Sequence, residues 1–103
     1  MAFRRRRFAD LVERQLDLFE TESAELLDDV DQALEAYNAA DRDDAEELYG
    51  DYVDRVDLAR EELEELRDVY RLTLEGDAAE EYAAAFAGAV RVRLPHLALE
   101  LDD

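Results

Sequence analysis

Two pairs of carboxylates in this chain have a spacing that suggests hydrolytic chemistry. Glu22-x-x-Glu25 and Asp51-x-x-Asp54 each place two acids on one face of a helix. Brought together across a helical hairpin, such pairs can hold Mg²⁺ against the phosphates of a nucleoside triphosphate. The 30 acidic residues of the chain dilute the signal, because Asp28-x-x-Asp31, Glu61-x-x-Glu64 and Glu62-x-x-Glu65 have the same form. Other catalytic constellations are missing. Ser23 has no histidine within a helical turn, the single histidine, His96, follows Pro95 without an upstream Glu-x-x-His partner, and there is no cysteine. A thiol nucleophile, a disulfide framework, a thiolate metal site and a ferritin-like di-metal bundle are thereby excluded or disfavoured. No Gly-rich phosphate loop or nucleophile elbow occurs, and no cofactor is expected.

The stretch Glu46-Glu-Leu-Tyr-Gly-Asp51 resembles the Glu-Glu-Leu-Gly-Asp segment of all-α nucleotide pyrophosphohydrolases of the MazG type. The resemblance implies an all-α fold and a Mg²⁺-dependent hydrolysis for which Glu22, Glu25, Asp51 and Asp54 are the candidate ligands. Tyr49 is inserted relative to that pattern, and the Lys and Asn that such enzymes add around the phosphates have no counterpart here.

A second chemistry resides at the start of the chain. Arg4, Arg5, Arg6 and Arg7 lie between Phe3 and Phe8, a combination able to grip phosphates or to rest on an anionic membrane with the rings inserted. Behind this arm, residues 10–80 hold 26 acids and six arginines, and the whole chain has a net charge of -18. Repulsion from that body argues against nucleic acid as a partner. Contact of the arm with its own or a neighbour's acidic helix is the expected state, with peripheral contact to an anionic membrane as the alternative. All 12 basic residues are Arg, which fits both salt adaptation and a high-GC genome. Asp10 interrupts the arm before any apolar run begins, and no 18-residue apolar stretch follows. A cytoplasmic location is expected.

These residues must be positioned by helices. Ala45, Tyr49, Tyr52, Val56, Ala59, Leu63, Leu66, Tyr70 and Thr73 recur in steps of four and three, one stripe of a long helix. Val12, Leu16, Phe19, Ser23, Leu26, Val30, Ala33 and Tyr37 repeat the pattern upstream, with Leu11, Leu18, Leu27 and Leu34 as a second row and Ser23 marking a register or a mild bend. The periodicity predicts one domain of three helices at about 10–37, 42–75 and 78–94, with a basic arm at 1–9 and an apolar tail at 95–103. Asp10 and Asp77 are the expected caps of the first and third helices, and Pro95 ends the third. Gly50 falls inside the second helix, off its stripe, and marks a bend, a close approach of a second chain or a longer loop. Like-charged pairs four apart, such as Asp57 with Glu61 and Glu61 with Glu65, predict a melting temperature that rises from 0.05 to 2 M KCl.

Length then yields a quaternary expectation. The first two helices span about 40–50 Å and the third about 25 Å. The third therefore covers the end holding Val12, Leu16, Phe19, Leu63, Leu66 and Tyr70. The other end would expose Leu26, Leu27, Val30, Leu34, Tyr37, Leu48, Tyr49, Tyr52 and Val53, a patch that soluble monomers rarely tolerate. The sequence thus predicts an all-α, self-associating antiparallel hairpin with a shorter third helix, a homodimer. Its expected role is a non-catalytic interaction or assembly module with a helical protein partner. The alternatives are the Mg²⁺-dependent pyrophosphohydrolase and an acidic decoy that imitates nucleic acid.

Overall fold

The structure, a computed structural model, describes residues 7–98. Four α-helices follow in order: α1 (Ala9–Glu22), α2 (Ala24–Asn38), α3 (Arg42–Arg71) and α4 (Asp77–Arg93), then a short 3-10 turn at Pro95–Leu97. No strand occurs among the described residues. The all-α class stands, but the first of the three expected helices is two. Ser23 takes φ -107° and ψ 26°, outside the helical range. Backbone bonding nevertheless runs through it, from Ser23 N–H to the Phe19 carbonyl at 2.8 Å and from Leu27 N–H to the Ser23 carbonyl at 3.0 Å. Just upstream, the Thr21 hydroxyl donates back to the Asp17 carbonyl at 3.1 Å, a contact that tends to bend helices. The break is a bend rather than a loop.

Below the bend, α2 and α3 run side by side as a tight antiparallel hairpin. Above it, α4 packs against both α1 and α3. Tyr82, Phe86 and Val90 of α4 lose all solvent contact there, against a core that includes Val12, Leu16, Phe19 and Leu63. Burying a side chain of this size is worth about 1.5–3 kcal/mol, so this end holds most of the apolar stabilisation.

The helix boundaries move for identifiable reasons. Phe8, assigned to the arm, is 6% exposed and sets its ring 5.6 Å from that of Tyr82 at 77°. Its burial fixes the entry into α1, so the helix starts at Ala9 and Asp10 sits in the first turn rather than at the cap, still favourable to the helix dipole. At its far end α3 stops at Arg71 instead of 75. The Thr73 hydroxyl caps the Tyr70 carbonyl at 2.7 Å, and Leu74 turns back onto the core. Gly76 then takes φ 54°, the left-handed conformation that a side chain would strain, and launches α4 at Asp77.

The tail docks as a last turn. Leu97 is 2% exposed, and the turn touches α3 as well as α4. Arg93, in the last turn of α4, donates to Asp17 at 2.8 Å, to Glu20 at 2.9 Å and to the Glu13 carbonyl at 3.3 Å. Hydrogen bonding to Asp17 and Glu20 holds its guanidinium above its usual pKa. The molecule measures 51 × 29 × 23 Å.

Candidate interaction surface

The four candidate metal ligands are all exposed and do not meet. Glu22 lines a cleft with Glu62 and Glu65, whereas Asp51 faces Asp29 and Gln32 further down the hairpin. The antiparallel register explains the separation: Glu22 stands opposite the second half of α3 and Asp51 lies in the first. No group of three or more His, Asp or Glu side chains close enough to hold a metal ion occurs among the described residues.

Nor is the most perturbed titratable group a catalytic one. Burial pushes the Tyr82 hydroxyl up to about 12, and that hydroxyl donates to the Gln15 side-chain oxygen at 2.8 Å. Tyr82 lies at the centre of an aromatic cluster, with Tyr70 at 4.8 Å, Phe8 at 5.6 Å and Phe86 at 5.9 Å between ring centres. It is a satisfied core tyrosine with no route to a substrate.

The expected open end is partly closed from within. Val30 is 5% exposed, and Leu27 and Val30 border the docked tail. Tyr52 meets His96, with 3.3 Å between its hydroxyl and Nδ1. The turn at Pro95–Leu97 reaches down to these residues, of which Val30 is buried and Leu27 and Tyr52 are half-buried. Leu26, Leu34, Tyr37, Leu48 and Val53 are half-buried, and Tyr49 is 51% exposed. Tyr37 and Tyr49 stack at 5.2 Å, with Tyr52 next in line at 6.4 Å.

A second apolar face, wider than that tip, lies along the hairpin edge where α1 and α3 border a cleft of about 350 Å³. Phe19 and Leu66 form its floor, with Leu18 and Val69 at its lip, 55% and 63% exposed. A shallower depression of about 250 Å³ continues it past Leu26 and Leu58, the latter 49% exposed. Glu22, Glu61, Glu62 and Glu65 border the two. The result is an apolar strip framed by carboxylates.

Leu18 was legible as part of the second row on the first helix. Leu58 and Val69 were missed, although with Leu66 they form a row of their own on α3, at steps of eight and three. An acid directly precedes each of the three, Asp57, Glu65 and Asp68, and masked that row. On the arm, Arg7 approaches Glu81 at 3.7 Å and stacks on the Phe8 ring at 5.2 Å. Arg4, Arg5 and Arg6 lie outside the described residues, as do Leu99 and Leu101 of the tail. No helix among the described residues is long and apolar enough to cross a membrane.

Compared with protein-family models, curated proteins and solved structures, the chain matches none.

Proposed function

We propose that the chain is a non-catalytic helical association module that pairs with a second copy of itself through the edge of the hairpin. The observation that carries this reading is the row of Leu18, Leu58 and Val69, each about half exposed or more, flanked by half-buried Leu26 and Leu66. An apolar strip of this length is costly to leave in water and marks a contact surface. The aromatic tip at Tyr37 and Tyr49 extends the same hairpin and adds contact area.

Sedimentation equilibrium tests the proposal. A dimer is expected at 0.2 M KCl and at 2 M KCl, because salt screens the repulsion between two bodies of net charge -18 while leaving apolar contact intact. Leu58→Asp should produce a monomer of unchanged helicity. A wild-type monomer at both salts refutes the reading, and magnesium-dependent release of pyrophosphate from mixed nucleoside triphosphates would replace it with a catalytic one.

A further inference from the structure

We infer that the cleft between α1 and α3 receives the arginine-aromatic arm, Phe3-Arg4-Arg5-Arg6, of the second copy. The inference rests on the homodimer proposed above and names what fills its groove.

Chemical complementarity carries it. The cleft has an apolar floor at Phe19 and Leu66 and acids at Glu22, Glu62 and Glu65. The arm carries the inverse arrangement, an aromatic ring followed by consecutive cations with no acid among residues 1–9. Phe and Arg are the side chains that anchor interfaces best: one fills an apolar floor, and the other reaches its walls with paired donors. No other stretch of the sequence has two adjacent arginines.

Reach decides between the arm's own cleft and the partner's. Arg7 and Phe8 are held beside α4, at Glu81 and Tyr82. On α1 the residues that meet Arg93 of α4 are Glu13, Asp17 and Glu20, whereas those lining the cleft are Gln15, Leu18 and Glu22. Gln15, at the near end of the cleft, also accepts from the Tyr82 hydroxyl of α4, so that end adjoins the arm's root and the far end, at Glu22, does not. The cleft stretch of α1 lies about 12–22 Å back along its axis from Arg7. Arg4 precedes Arg7 by three residues, about 10 Å of backbone at full extension, so the cations of the molecule's own arm stop short of Glu22. A second copy presents its arm without that constraint, and three cations per docked segment soften the repulsion between two acidic bodies.

Charge reversal in the full chain tests the pairing. The variant pair is Arg4→Glu with Arg5→Glu and Arg6→Glu on the arm, and Glu62→Arg with Glu65→Arg at the cleft. Each set alone should weaken self-association about tenfold or more at 0.1 M KCl, measured by sedimentation equilibrium. The cleft set is the sharper of the two. It lowers the magnitude of the net charge, so general repulsion alone would tighten the dimer, whereas loss of the arm's site loosens it. An equimolar mixture of the two variants should recover a heterodimer, since the reversed arm then meets the reversed cleft. Mixing without recovery overturns the pairing. If both variants dimerise within about twofold of wild type, the arm is not the occupant although the homodimer stands. A monomeric wild type overturns the homodimer itself, and protection of the arm from trypsin in that monomer would assign it to its own molecule. Circular dichroism of each variant checks that only association has changed, and at the cleft Glu62 and Glu65 are exposed.

Discussion

Two tyrosine clusters, one at each end of the hairpin, show what the third long segment of the chain does. At the covered end Tyr70, Tyr82, Phe8 and Phe86 pack ring to ring, and Tyr82 has no exposed surface and a satisfied hydroxyl. At the tip Tyr37, Tyr49 and Tyr52 stack in a similar chain of rings, yet Tyr49 keeps half its surface in water and the Tyr52 hydroxyl has only the 3.3 Å contact to His96. The residue type is shared and the cover differs. Where α4 lies across the hairpin, tyrosine stabilises the fold. Where only the 3-10 turn reaches, tyrosine stays partly in water.

Truncation should separate the two ends most strongly. Phe86→Ala is expected to cost about 3–5 kcal/mol in urea unfolding, and Tyr49→Ala below about 1 kcal/mol. Equal losses would mean that the tip is buried in solution, by a second chain or by the rest of the tail. Next in size is an alkaline effect confined to the covered end. The unfolded chain releases the Tyr82 proton near pH 10, while the folded protein retains it up to about 12. Stability from this group is therefore complete below pH 10 and lost as pH rises through 12, about 3 kcal/mol in all. Tyr82→Phe should flatten that decline while losing the bond to Gln15, which chemical denaturation at pH 8 and pH 11 would read directly.

How much of this contrast was visible in the sequence depends on what each residue is surrounded by. Tyr82, Phe86 and Val90 recur at a clean four-residue step on a helix of small neighbours, so the inner face of α4 was readable from periodicity alone. Phe8 was not, because it follows four arginines and its burial depends on a ring 74 residues away in the chain. The bend at Ser23 was legible in part, since Ser23 is the one polar residue on its stripe, although the periodicity runs on through it. The expected patch at the tip failed in part for a simple reason: the tail reads as a short apolar afterthought, and nothing local reveals that Leu97 and His96 come to rest on the middle of the hairpin. The acid-framed cleft escaped for the opposite reason, since Leu58 and Val69 stand among charges that mark a solvated face.

Two smaller effects sharpen the comparison further. Arg93→Met should cost about 1 kcal/mol at 0.1 M KCl and less at 1 M, since its partners Asp17 and Glu20 are partly exposed and screened by salt. A loss undiminished by salt would show that this clasp is drier than its geometry implies. Gly50 sits at the tip end of α3, where an added Cβ would meet no atom within 4 Å. Gly50→Ala should raise stability by up to about 1 kcal/mol in the isolated chain. If the melting temperature falls instead, another backbone passes close by at that point, and the tip belongs to an interface.

The bend at Ser23 also has a mechanical consequence. Ser23 is bonded on both sides, its N–H to Phe19 and its carbonyl to Leu27 N–H, so the direction in which α1, about 21 Å long, leaves α2 is set at one residue. A change of about 10° in that direction would displace the far end of α1 by about 3.5 Å, roughly one layer of packed carbon atoms. The dihedral angles of a single serine thus set the aperture between two rods, and with it the thickness of whatever can be gripped there.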